Sequence, residues 1–254
     1  MRHWVSCMSA SRQIQTGLEC AIAPPAKPMP PQAPQVELLS RLPAADREEL
    51  QQLGVIKQYS KGDFVFQAGK EAKSVFLLHQ GRIKIYQPSS VGKEAILWFC
   101  FGGELFGLAE SARGAHRAVS AQACESSEVL CIAQDRFMAF LATHPKTAQI
   151  VVQLLAGRLR VLSEVVINLI SDDVRTRIRK MLLQFGTRGG RRNDASLELA
   201  IPLTHQEIAD MVGTTRQTVT SVLSELQKQG LIRLESRRIH IENLKLLKEM
   251  ANPG

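Results

Sequence analysis

The stretch GTTRQTVTSVLSELQKQG, residues 213–230, spaces its apolar side chains Val219, Val222, Leu223 and Leu226 at i, i+3, i+4 and i+7. That spacing makes one stripe of an amphipathic helix and leaves Arg216, Gln217, Thr220, Ser221 and Ser224 off it. Arginine can donate two hydrogen bonds to guanine O6 and N7, and glutamine can pair bidentately with adenine. Thr218 and Ser221 can reach bases or phosphate. The alternative is a solvated face on a helical hairpin.

The neighbouring residues favour recognition. LTHQEIADMV precedes this helix, and its Thr204-x-x-Glu207 spacing is a capping box. Gly213 suits a tight turn, Thr214 or Thr215 suits an N-cap, and Gly230 suits the position after a helix end. LIRLESRRIHI then alternates as two short strands around ESRR, which carries Arg237. Helix, glycine turn, helix and small hairpin make a winged helix-turn-helix, in which the start of the second helix enters a DNA major groove. Thr204, at the start of the first helix, is placed to hold a phosphate with its backbone N–H. The sequence thus predicts a DNA-facing set of Thr204, Thr214, Thr215, Arg216, Gln217, Thr218, Ser221 and Arg237.

Composition agrees. Net charge is +8 over 254 residues, with 44% hydrophobic and 22% charged residues. A basic chain of ordinary hydrophobicity is long enough for two domains and suits an anionic partner. No apolar run approaches the ~18–20 residues of a membrane span, and no secretory signal opens the chain, so the expectation is a cytoplasmic protein. The five cysteines include no C-x-x-C pair, so no metal site is read from them.

Upstream, the recognition helix needs elements to position it. Residues 1–35 read as a poorly packed tail, since APPAKPMPPQAP holds six of the eleven prolines. From Val36 short helices flank Pro43. Then DFVFQAG, SVFLLHQG, RIKIYQ, AILWFCFGG and two runs within HRAVSAQACESSEVLCIA read as short strands separated by glycine turns, an antiparallel roll. A long helix over residues 146–170 follows. Val152, Leu155, Leu159, Leu162, Val166 and Leu169 recur at 3, 4, 3, 4, 3, a coiled-coil seam about 37 Å long. It predicts a parallel homodimer. Val151, Leu154 and Val165 could instead turn that helix onto its own roll. Ser171 or Asp172 can cap the next helix, whose stripe is Val174, Ile178, Met181, Leu182 and Phe185. GTRGGRRNDAS reads as a solvated loop. The expected class is α+β: a β-roll sensor domain over 36–145, a dimerisation helix over 146–171 and a winged helix-turn-helix over 172–254.

This order of parts resembles the cyclic-AMP receptor / fumarate-nitrate reduction regulator family of bacterial transcription factors. The resemblance is carried by KGDFVFQAGKEAKSVFLLHQGRIKIY, GGELFGLAES, LAGRLRVLSEVVINL and LTHQEIADMVGTTRQTVTSVLSELQKQGLI. It implies an allosteric homodimer on palindromic double-stranded DNA, a roll with a cyclic-nucleotide-binding-like fold that senses a small signal, and RNA polymerase as a further partner. Signal binding would shift the long helices near Leu162 and Ser163 and turn the winged domains about residues 171–173.

The resemblance leaves the signal open. Cyclic-AMP-binding members use Gly-Glu, Arg-Ser and Thr-Ser pairs, whereas here Gly107 is followed by Leu108, Arg117 by Ala118, and Ser163 is preceded by Leu162. Each departure removes a hydrogen bond that the nucleotide needs, at ~1–3 kcal/mol apiece. Arg117 can hold another anion or pair with Glu104 or Glu110. The oxygen-sensing branch holds an iron–sulfur cluster with clustered cysteines. Here Cys7, Cys20 and Cys131 would need Cys124 as a fourth ligand, and a redox pair among Cys100, Cys124 and Cys131 is a separate option. The carbon-monoxide-sensing branch has chemistry like Arg216-Gln217-Thr218, and haem would need an axial ligand such as His79, His116 or His144. An unidentified ligand, or none, completes the set. Both well-known branches carry Glu where Gln217 stands and Arg where Ser221 stands, which implies a different half-site with an A·T preference opposite Gln217. A cupin-like metalloenzyme on the roll would need His and Glu at close spacing on neighbouring strands, and the six histidines are scattered without an H-x-H.

Overall fold

The computed structural model describes residues 37–89, 94–111, 115–187, 191–192, 197–199, 202–235 and 238–251. The proline-rich tail, with Cys7 and Cys20, lies outside the described residues, and so does Arg237.

A short 3₁₀ turn (Leu39–Arg41) and α1 (Ala44–Gln52) open the described chain, with Pro43 at the N-cap of α1, where its missing N–H costs nothing. Eight strands form the roll: β1 (Gly54–Tyr59), β2 (Phe64–Phe66), β3 (Ser74–Gln80), β4 (Ile83–Pro88), β5 (Glu94–Cys100), β6 (Leu105–Phe106), β7 (Ser120–Ala123) and β8 (Ser127–Ala133). They pair antiparallel in two sheets, β1-β8-β3-β6 and β2-β7-β4-β5. The one-turn α2 (Leu108–Ser111) follows β6.

β3 is apolar at every position from Val75 to Leu78 because both its faces are covered. Phe76 and Leu78 point into the roll, with Ile83, Ile85, Phe106 and Val129. Val75 and Leu77 point the other way, under helices, with Leu50, Leu130, Ile132 and Phe137. β4 is covered differently. Ile83 and Ile85 face the roll interior, while Tyr86, beyond a bulge at Ile85, joins Ile96 and Phe99 of β5 in the apolar cluster of the C-terminal domain.

α3 (Gln134–Thr143) leads through His144 into α4 (Pro145–Ser171), whose 27 residues rise about 40 Å. One face of α4 packs on the roll through Val151 (3% exposed) and Leu154. The opposite face carries the predicted seam into solvent: Val152 and Leu159 are 64% and 67% exposed, and Leu155, Val166 and Leu169 are exposed too. Leu162 is half-buried. Ile167 and Ile170 (81% exposed) widen the apolar strip toward the helix end.

α5 (Val174–Thr187), α6 (His205–Val212), α7 (Arg216–Lys228) and α8 (Leu244–Ala251) build the C-terminal domain with the sheet β11 (Ile232–Glu235), β12 (Arg238–Ile241), β10 (Leu197–Glu198) and β9 (Arg191–Arg192). The stretch expected as a loop contains β9, and β10 follows directly after it; the two pair with each other and, through β10, with β12. Isolated two-residue strands carry no periodicity, so their pairing comes from β12. β1, β6, α2 and α8 likewise lack a reading from sequence. The α5 cap is Asp173, not Ser171 or Asp172: the Thr176 amide donates to Asp173 Oδ1 at 2.8 Å. Bonds from Thr176 hold that carboxyl below its usual range. Asp172 instead ends α4, and its carboxylate holds Lys180 at 2.7 Å.

Candidate nucleic-acid interface and sensor site

α6 and α7 are joined by Gly213, whose φ of +70° lies in the left-handed region that a side chain resists. Thr204 caps α6 with a complete capping box: its hydroxyl accepts from the Glu207 amide at 3.1 Å, and its own amide donates to Glu207 Oε2 at 2.8 Å. The Thr204 N–H expected to hold phosphate is therefore already taken by Glu207. Of the two candidates for the second cap, Thr215 has the role; its hydroxyl accepts from the Thr218 amide at 3.1 Å. Thr214 lies in the turn, its amide on the Ala209 carbonyl at 3.0 Å.

Val219, Val222, Leu223 and Leu226 are buried, so the stripe read from spacing is the packed face of α7. The off-stripe residues divide in two. Thr220 bonds the Arg216 carbonyl at 2.9 Å and His205 Nδ1 at 2.8 Å, tying α6 to α7. The Thr218 hydroxyl meets that of Thr215 at 2.9 Å. Among the described residues, the side chains of Arg216, Gln217, Ser221 and Ser224 have no bonding partner and are exposed. An open concave surface is lined by Thr215, Arg216, Gln217, Thr220 and Ser221. Its exposed donors are of the kinds that read base edges in a major groove. Periodicity alone missed His205, because its bond to Thr220 crosses between helices.

The junction of α4 and α5 behind this surface is tied as well. Arg177 donates to the Asp172 carbonyl at 2.8 Å and to the Val212 carbonyl at 3.0 Å, so one guanidinium joins the end of α4 to the end of α6. A cation at a helix C-terminus also meets its partial negative charge.

At the sensor, Gly107, Leu108 and Arg117 come together in a closed arrangement. Arg117 is 3% exposed and donates to the Gly107 carbonyl at 2.5 Å and to the Ser74 carbonyl. Glu110, not Glu104, is its acid partner, at 3.7 Å. Its guanidinium lies 4.2 Å from the Phe66 ring centroid and 5.5 Å from that of Phe76. Burial presses the Arg117 pKa down and Glu110 supports it. Phe66, Phe76 and Phe106 stack beside it, 5.3–6.3 Å between centroids. A Cβ on Gly107 would come within 2.8 Å of Phe76, and its φ is +73°, so glycine is required. Leu108 packs into the core under α4. Ala118 is exposed, and the Ser163 hydroxyl is spent on the Leu159 carbonyl of its own helix at 2.9 Å.

His144 stacks on Phe140 at 4.2 Å and bonds the Phe140 carbonyl at 3.0 Å. Cys100 is buried and Cys124 and Cys131 are half-buried, and burial pushes the Cys124 and Cys131 thiols upward. No group of three His, Cys, Asp or Glu residues suited to a metal occurs among the described residues, and none of their helices is long and apolar enough to cross a membrane.

An antiparallel roll, a long helix and a capped helix-turn-helix with a wing define a DNA-binding regulator with a sensing domain. Residues 56–144 match the cyclic nucleotide-binding domain and residues 176–250 the Crp-like helix-turn-helix domain. The chain belongs to the Crp/Fnr family of transcriptional regulators. It is similar to the CRP-like cAMP-activated global transcriptional regulator of Mycobacterium tuberculosis H37Rv, 28% identical over 76% of this chain and 86% of that protein. It is also similar to the fumarate and nitrate reduction regulatory protein of Escherichia coli K12, 28% identical over 81% of this chain and 84% of that one. A solved structure of a CooA mutant from Carboxydothermus hydrogenoformans aligns with TM-score 0.71 and 26% identity, covering 80% of this chain and 90% of that one. These relatives are regulators, not enzymes.

Proposed function

We propose that the chain acts as a homodimer, paired along α4, on a two-fold symmetric operator. The observation that carries this reading is the pairing of two unsatisfied surfaces. The α4 strip leaves Val152, Leu155, Leu159, Val166 and Leu169 exposed among the described residues, and α7 exposes Arg216, Gln217 and Ser221 without partners among them. A parallel pair of α4 helices would set two copies of α7 about 34 Å apart, one DNA turn. Arg216 and Gln217 read bases; Ser221 and Thr214 contact bases or phosphate; Thr204, Thr215 and Thr218 hold the helix starts in place. Arg237, which the sequence places between β11 and β12, is a further DNA contact. The domains divide at 36–145, 146–171 and 172–254. The partners are double-stranded DNA, a second copy and RNA polymerase, and the compartment is the cytoplasm.

The roll answers to something other than cyclic AMP. Arg117, the phosphate ligand where such members bind the nucleotide, is spent here on two carbonyls, Glu110 and two rings. A nucleotide would have to break those bonds and would still lack the partners replaced by Leu108, Ala118 and Leu162.

Selection from random DNA with the full-length protein tests the reading. The expected product is an inverted repeat with A·T opposite Gln217. Recovery of a half-site typical of either well-known branch, or of an unpaired half-site, would sink it. Titration with cyclic AMP should leave operator affinity and melting temperature unchanged.

A further inference from the structure

The reading head is held at a second point, away from the junction of α4 and α5. Arg82 stands just before β4, at the register that puts Arg82, Lys84 and Tyr86 on the outer face of the roll. It is 6% exposed. Its Nη1 donates to the Pro202 carbonyl at 3.0 Å, its Nη2 lies 3.4 Å from Glu207 Oε1, and its plane sits 5.0 Å from the Phe99 ring centroid. Glu207 uses its other oxygen to close the α6 capping box. One carboxylate thus joins the start of the helix-turn-helix both to itself and to the roll. Phe99 meets Phe185 of α5 edge-on at 6.2 Å. Next along α6, Asp210 has its carboxyl pushed up by burial, with Glu94 and Glu207 adding to the rise and Lys84 opposing it.

Burying an arginine is costly, and an apolar side chain of similar volume commonly packs as stably. What a guanidinium adds is direction: its fork accepts one arrangement of Pro202 and Glu207. α6 is already fixed at its C-terminal end by Arg177 on the Val212 carbonyl, and to α7 by His205 and Thr220. The apolar contact that Tyr86, Ile96 and Phe99 make with this domain is not directional, whereas two hydrogen-bonded attachments fix its angle.

We propose that Arg82 is a positioning residue that fixes the angle of the recognition helix relative to α4, and so sets the half-site spacing the dimer accepts. This rests on the dimeric, palindrome-reading function above. Arg82 touches no DNA in this role; it acts through Glu207.

The test uses full-length wild type, Arg82→Met, Glu207→Gln and the double variant. Affinities are measured for the selected operator, for the same operator with one or two base pairs added at its centre, and for a single half-site. Each added base pair turns one half-site by about 34° and moves it about 3.4 Å. Wild type should discriminate sharply between spacers. Arg82→Met should lower that discrimination about tenfold, with single half-site affinity and sedimentation as a dimer unchanged. Glu207→Gln keeps the capping box, since glutamine serves there, and should lower discrimination by a smaller factor; it carries the test if Arg82→Met does not fold. The double variant should lose no more than Arg82→Met alone. Wild-type discrimination in both single variants overturns the proposal, and so does a loss equal on the single half-site, which would mark a merely structural role. A wild type that sediments as a monomer or ignores spacing removes the dimeric reading, and this inference with it.

Discussion

Arg117 and Arg216 occupy equivalent stations in their domains, each beside a glycine turn, and have opposite fates. Arg117 is buried and bonded to carbonyls of its own chain, to Glu110 and to two aromatic rings. Arg216 is exposed on the first turn of α7, its side chain unbonded among the described residues. A cation buried against its own chain is part of the fold, and a cation exposed with its donors free is available to a ligand. Arg117 is closed inward and Arg216 is open, so the arginine that is free to meet a ligand directly is the reader's.

The largest effect should come from the surface that serves both. Leu159→Asp places like charges across the proposed seam, where an uncompensated buried charge costs about 3–5 kcal/mol. Sedimentation should show monomers at micromolar concentration, and operator affinity should fall more than about 100-fold. Monomer melting should barely move, because Leu159 is 67% exposed among the described residues. A stable Leu159→Asp dimer would refute the seam.

Next are the two arginines. Arg117→Met withdraws the bonds to the Gly107 and Ser74 carbonyls and the cation beside Glu110, costing about 3 kcal/mol in urea unfolding of the roll. It should leave the affinity of the remaining folded dimer for DNA within about twofold. Arg216→Ala should do the reverse: no change in unfolding, and a loss of about 1–3 kcal/mol per half-site. Gln217→Glu should move the preferred base from adenine toward cytosine in a repeated selection. If Arg117→Met weakened DNA binding as much as Arg216→Ala, the contrast between a closed and an open arginine would fail.

How much of this was legible depended on where each element finds its bonds. α7 satisfies itself locally, so its stripe, its cap and the glycines at both ends stand in eighteen consecutive residues. The exposed apolar strip of α4 was legible for the same reason, and Val151 and Leu154, read as an alternative contact, do face the roll. β9 and β10 were not, since two residues each cannot show a period and their partners lie in β12, far along the chain. β1 escaped because its middle residues are exposed and its register comes from β8. Arg82 was illegible for a further reason: a single arginine before a strand carries no signal, and its three partners, Phe99, Pro202 and Glu207, are scattered through the sequence. In the sensor, the departures at Leu108 and Ala118 were plain in the sequence. That Arg117 would turn inward was not, because it needs the Phe66 and Phe76 rings brought beside it by two different sheets.

The smallest effect separates the two caps of the reader. Thr204 and Thr215 both cap helices through their hydroxyls, but Thr204 lies in a box braced by Glu207, and Thr215 is shared only with Thr218. Loss of a cap costs about 1 kcal/mol. Thr204→Ala should cost that much stability with little change in the half-site read, because α6 remains held by Arg177 and Arg82. Thr215→Ala should cost a similar amount, and here the fraying falls on the turn that carries Arg216 and Gln217. Half-site affinity should drop about fivefold, by the same 1 kcal/mol, and Thr215→Ser should restore both quantities. A Thr215→Ala protein that is less stable yet binds DNA as wild type would mean that bases are read further along α7, from Ser221 and Ser224 rather than from its first turn.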